Sequence, residues 1–226
     1  MELESVQIAA ADVAAATRSY EVLLGVAAVQ GPLGPRLPLA TGAVDIIGGE
    51  PGLASIRFLC GAGVSAPPLT EESFHGLRVL LAEDGGRGEE VGGGALAEGP
   101  RSAAAIDHVV VNTADVERAI GLWRDRCGLR LALDREFPQR GLRLVFFRSG
   151  GITLEIAGGL GAAPDPRVPD RFWGVAYRVP DLPAWRERLL GAGVAVSQIR
   201  PGQKRDTVVA TVKSHAAGVP TLLLMR

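Results

Sequence analysis

The chain has 226 residues, 47% hydrophobic and 22% charged, with 24 basic and 25 acidic side chains. That composition suits a packed core and excludes a disordered chain, and a formal charge of −1 gives no electrostatic footing for nucleic acid or an anionic membrane. No apolar run approaches the roughly 20 residues of a membrane helix, Met1–Gln7 lacks the basic and apolar regions of a signal peptide, and Cys60 and Cys127 are too few for a disulfide framework; a cytoplasmic protein with reduced thiols is expected.

In chain order, Val6 to Ala11 reads as a strand, Asp12 as a helix N-cap, residues 13–24 as the helix and Gly25 as its left-handed stop. Strand-like runs follow at 26–29, 36–40 and 43–47. A second, degraded unit opens at 53–59 and closes at 76–83; Pro67 and Pro68 between them argue against a full helix. The Gly-rich, apolar-poor stretch that follows, 85–103, reads as a linker.

The plan then recurs. His108–Val111 is a strand, Asp115 a cap, 116–127 a helix and Gly128 its stop; strands follow at 129–133, 142–148 and 152–157. A further copy has a strand at 175–179, a cap at Asp181, a helix over 182–192 and Gly193, then strands at 194–199, 208–213 and 221–225, with a basic loop, Arg200–Asp206, between the first two. From cap to glycine the three complete copies span 13, 13 and 12 residues (25 − 12, 128 − 115, 193 − 181). A repeat of strand, helix and three strands predicts an α+β fold of tandem βαβββ units, divided into 1–84, a linker over 85–103, and 104–226.

Ile106-Asp107-His108-Val109-Val110-Val111, the helix from Asp115 through Trp123 to Cys127-Gly128-Leu129, and the strand Gly151-Ile152-Thr153-Leu154-Glu155-Ile156 resemble the opening unit of the vicinal-oxygen-chelate superfamily of glyoxalase, bleomycin-resistance and extradiol-dioxygenase proteins. Phe172–Asp181 is similar to the partner unit. The resemblance implies two glyoxalase-like domains with cupped, mostly antiparallel sheets, the first degenerate, each pair of units enclosing a ligand site. It implies a small-molecule-binding protein of bacterial type, with a metal-dependent lyase, isomerase or dioxygenase acting in the C-terminal cup as the enzyme reading. The alternative is a metal-free protein that sequesters a drug or natural product. A homodimer is one assembly open to such a chain.

The family's metal positions fall on His108 and Glu155, a pair suited to Zn, Fe, Mn or Ni. Projection by 66 residues (181 − 115) puts Gly174 opposite His108, and the last strand puts Leu222 opposite Glu155; neither binds a metal. In the N-terminal half Ser5 and Asp45 take the equivalent places, Asp45 being read as a solvated acid. His215 completes a set only if its loop folds inward. A cup without a metal is therefore favoured, with His108 as a catalytic general base or a hydrogen-bond donor oriented by Glu155; the alternative is a buried pair that only satisfies itself. Strand alternation adds Asn112, Thr153 and Arg178 as substrate contacts, and sends Trp173 and Tyr177 outward. The Arg200–Asp206 loop reads as solvated rather than as a lid.

Overall fold

A computed structural model describes residues 1–60, 74–83, 104–161, 163–165 and 167–226. The expected linker and the stretch holding Pro67 and Pro68 lie outside the described residues.

The N-terminal sheet is built from β1 (Glu2–Ala10), β2 (Val29–Gln30), β3 (Pro35–Pro38), β4 (Ala43–Gly48), β5 (Gly52–Cys60) and β6 (Val79–Glu83), in the order β2-β3-β4-β1-β5-β6. The C-terminal sheet contains β7 (Ala105–Thr113), β8 (Arg130–Phe137), β9 (Leu142–Ser149), β10 (Ile152–Gly159), β11 (Arg171–Arg178), β12 (Arg200–Pro201), β13 (Val208–Val212) and β14 (Thr221–Met225). Its order is β12-β13-β14-β11-β7-β10-β9-β8. In each unit with both strands resolved, the first strand runs parallel to the last, and first strands of neighbouring units join antiparallel, β1 with β5 and β7 with β11. The units therefore pair within each half, giving two cupped sheets.

The helices form where the caps predict. In α1 (Val13–Leu24) the Asp12 carboxylate accepts from the Ala15 N–H; in α3 (Leu182–Gly191) Asp181 does the same for Ala184. Asp115 caps Arg118 at the start of α2 (Val116–Ile120), which passes into a π turn over Gly121–Arg126 in place of the continuous α-helix expected. Leu122 and Trp123, neighbours in sequence, are both buried there. Gly25, Gly128 and Gly193 have φ of 66°, 68° and 79°, the left-handed region open to glycine.

A strand departs from expectation as well. Residues 194–199 make a single bridge, Val196 to Val212, and the pairing resumes as β12 inside the expected loop. Serine hydroxyls break the ladder: Ser214 Oγ accepts from the Ala195 N–H and Ser197 Oγ from the Thr211 N–H, both at 2.9 Å.

The two halves share one apolar core. Trp123 stacks at a tilt on Phe58 and Phe74, 6.0 and 5.6 Å between ring centres. At the end of α1 the orphan carbonyls are capped from the other half: Trp185 Nε1 donates to Leu23 and Arg188 to Val22. Among the described residues no helix is long and apolar enough to cross a membrane.

Candidate functional site

Both sheets carry the same pair of β-bulges, and these shape the site. Between β7 and β11, His108 pairs with Ala176 and Ile106 with Tyr177, so Asp107 is an unpaired extra residue. On β11, Phe172 pairs with Val111 and Gly174 with Val110, so Trp173 is the extra one. The two are related by the internal repeat (107 + 66 = 173). Each bulge turns its residue onto the face that alternation denies it. Asp107 joins His108 inside the C-terminal cup, and Trp173, expected to point away onto the helices, lines the cup and is 53% exposed. Tyr177 is buried on the other side.

The cup encloses a cavity of about 370 Å³, of a size that takes a small molecule. The sheet curls far enough for both of its ends, Leu133, Arg135 and Phe137 of β8 and Arg200 of β12, to line one space. Leu144, Phe146, Val209 and Leu222 give it an apolar floor.

At its polar end His108 Nε2 lies 3.8 Å from Glu155 Oε2, too far for a direct hydrogen bond and close enough for one bridging oxygen. His108 Nδ1 is 3.0 Å from Asp107 Oδ2. Burial pushes the Asp107 carboxyl up, but the hydrogen bond and charge of His108, with Lys204 and Arg226, outweigh it and take the group down to about 2. An ionised carboxylate can only accept, so the proton of this bond sits on Nδ1, and Nε2 is the ring nitrogen turned toward Glu155. The other Asp107 oxygen accepts from Arg226 at 2.8 Å, with Arg178 Nη1 3.9 Å away. Burial raises the Glu155 carboxyl, partly offset by His108 and Lys204.

The remaining sequence-derived candidates are scattered. Asn112 is exposed and outside the cavity lining, beside Arg171 and Ala157. Thr153 shares the cup-side face with His108 and Glu155 but is buried, its hydroxyl accepting from Arg148 at 2.6 Å. Arg178 is outside the cavity lining, its Nη1 3.9 Å from Asp107 Oδ1. His215 is exposed, its Nδ1 2.8 Å from Ser214 Oγ, and its loop does not fold inward. From the basic loop, Arg200, Gln203 and Lys204 line the cavity, whereas Arg205 faces solvent beside Asp206. Sequence reasoning missed Asp107, Trp173 and Arg226. A signal existed for Asp107, since the N-terminal copy also carries an acid there, Glu4 (107 − 103), one place before Ser5.

The donor set does not fit a divalent metal. Register places Gly174 and Leu222 where a second His108 and Glu155 would stand, since Gly174 pairs with Val110 as His108 pairs with Ala176, and Leu222 pairs with Ala176 as Glu155 pairs with Val110. A Cβ on Gly174 would meet the Pro220 carbonyl oxygen at 2.4 Å, so backbone occupies that ligand direction. Among the described residues no three His, Cys, Asp or Glu side chains gather as a metal site. Asp107 also faces the cup but is committed to His108 Nδ1 and Arg226, which leaves His108 Nε2 and Glu155, fewer than the three donors that catalytic sites use.

The N-terminal cup is plugged. Ser5 and Gln7 both donate to Asp45 Oδ2, at 2.7 and 3.0 Å, Ser55 donates to Gln7 Oε1, and Arg36 closes over Asp45 and Glu4. Asp45 is wholly buried, contrary to the solvated acid expected, because Arg36 and two neutral donors satisfy it.

Residues 107–211 match the family model for the glyoxalase/bleomycin resistance protein/dioxygenase superfamily. Among solved structures, BphC, a halotolerant catechol dioxygenase, aligns over 100% of this chain and 86% of its own, with 14% identity and a TM-score of 0.70. A mutant 4-hydroxymandelate synthase from Streptomyces coelicolor aligns over 100% and 92%, with 13% identity and a TM-score of 0.70. Methylmalonyl-CoA epimerase from Mycobacterium tuberculosis aligns over 55% and 87%, with 21% identity and a TM-score of 0.45. No curated protein sequence matches. At these identities the two full-length likenesses establish the fold and leave the chemistry to the site.

Proposed function

We propose that this chain, which belongs to the glyoxalase/bleomycin resistance/dioxygenase superfamily through residues 107–211, binds a small molecule in its C-terminal cup without a divalent metal. The carrying observation is the pair of filled ligand positions, Gly174 against the Pro220 carbonyl and Leu222 on β14, which leave His108 Nε2 and Glu155 as hydrogen-bonding groups for a ligand oxygen. The N-terminal half, 1–84, serves as the support whose own cup is plugged, and 104–226 as the binding domain.

A second reading rests on Asp107. A buried carboxylate that fixes a ring nitrogen of a cavity-facing histidine is the arrangement of a base and its orienting group, so the bound molecule is a candidate for proton transfer at His108 Nε2. In that role Asp107, rather than Glu155, orients the ring.

Trp173 provides the test. Trp123 and Trp185 are buried, so the emission of Trp173 reports occupancy of the cup. Ligand titrations followed by this emission are expected to give the same affinity with and without EDTA. Affinity that EDTA abolishes and one added divalent ion restores would overturn the metal-free reading.

A further inference from the structure

We infer that the molecule held in this cup is an anion with a flat apolar body, its acidic group set on Arg200 and Lys204 at the mouth. The inference rests on the cup being a binding site, and it names the class of ligand.

Charge bookkeeping within the cavity gives the first ground. Arg135, Arg200, Lys204 and Arg226 line it, against Asp107 and Glu155 alone. Arg226 is committed to Asp107, which also holds His108. Among the described residues no carboxylate lies within 4.0 Å of Arg135, Arg200 or Lys204, although other arginines of the same sheet, such as Arg143, hold two acids. The chain as a whole is at −1, so this surplus is local. Cations that outnumber the acids around an apolar hollow raise the local concentration of anions and pair with one that enters.

The plugged cup is an internal comparison. It has the same two bulges and equivalent strands, yet Arg36 is held by Glu4 and Asp45, and Arg57 lies 3.6 Å from Glu4. In the filled cup these cations are paired internally; in the open cup Arg226 is paired, but among the described residues Arg135, Arg200 and Lys204 have no carboxylate within 4.0 Å.

Lys204 is also held in place. Its loop is a tight hairpin in which Gly202 N–H donates to the Thr207 carbonyl at 2.8 Å and Thr207 Oγ1 donates to the Lys204 carbonyl at 2.6 Å. A Cβ at Gly202 would lie 2.3 Å from Thr207 Oγ1, so a side chain there would displace the hydroxyl that bonds the Lys204 carbonyl. The Lys204 ammonium stands 6.0 Å from the Phe146 ring centre, over the cavity floor, while Arg205 turns away to Asp206. Next to this cationic edge Leu133 and Trp173 are 48% and 53% exposed, large apolar surfaces facing one hollow. A flat ring system would cover them.

The test uses one skeleton with and without charge: 2-naphthoate and 2-naphthamide, titrated in EDTA by calorimetry and Trp173 emission. Wild-type protein is expected to bind the carboxylate at least about tenfold tighter than the amide. In the Arg200→Gln, Lys204→Met double variant the ratio should fall to within about twofold with the amide unaffected, and Lys204→Arg should keep most of the preference. Both positions are exposed, so folding is expected to survive, which a thermal melt checks. Equal affinities in wild type, or a preference that survives the double variant, would overturn the anion inference and leave the cup reading standing. Failure of both probes to bind at millimolar concentration would overturn both.

Discussion

The carboxylate of Asp107 lies 3.0 Å from a ring nitrogen of its own neighbour, His108, although adjacent residues of a regular strand point to opposite faces. The bulge in β7 makes the meeting possible. Because the folded-state pKa of Asp107 falls from an ordinary 3.8 to about 2, the carboxylate stabilises the fold above pH 4 and the contribution is lost as pH falls toward 2. Wild type should exceed Asp107→Asn by about 2 kcal/mol in its pH-dependent stability at neutral pH, the gap closing between pH 4 and 2. Urea melts of the two proteins across that range check it; a gap that is constant with pH would contradict the assignment.

Glu155 has the opposite sign. Burial raises its carboxyl, so its ionisation costs stability, absent at low pH and growing as pH rises through the folded pKa. Glu155→Gln should therefore melt higher than wild type at neutral pH, and the advantage should shrink below pH 4. Thermal melts with a variant less stable than wild type at neutral pH would show that the carboxylate is better satisfied than described.

Tyr177 is buried, and among the described residues its hydroxyl has no hydrogen-bond partner. Tyr177→Phe removes an unsatisfied polar group at little cost in packing, and should raise stability by about 1 kcal/mol in denaturant titrations. A loss of similar size would mean the hydroxyl has a partner.

Gly174 is fixed by the Pro220 carbonyl, but Leu222 lines the cavity and is free to change. Leu222→His should supply the missing third donor and create micromolar Ni²⁺ or Zn²⁺ binding that His108→Ala removes again. A variant that binds no more metal than wild type would show that the two sides of the cup do not converge on one point.

The sequence carries the unit plan because each helix is marked twice, by Asp12, Asp115 and Asp181 at one end and by Gly25, Gly128 and Gly193 at the other. Local chemistry of that kind survives reading one residue at a time. The cup is harder to read, because alternation places residues correctly only while the ladder is regular. It puts His108, Glu155, Gly174 and Leu222 on one face, and it fails at Asp107 and Trp173, where each bulge inserts a residue. The buried state of Asp45 was hidden for another reason. Its partner Arg36 comes from a separate strand, and burial of an acid depends on what closes over it.

Metal titration of chelator-stripped wild-type protein addresses the central claim most directly. Calorimetry with Mn²⁺, Fe²⁺, Zn²⁺ and Ni²⁺ should detect no stoichiometric site that depends on His108 or Glu155. One ion bound per chain at micromolar affinity, lost in both His108→Ala and Glu155→Ala, would contradict it.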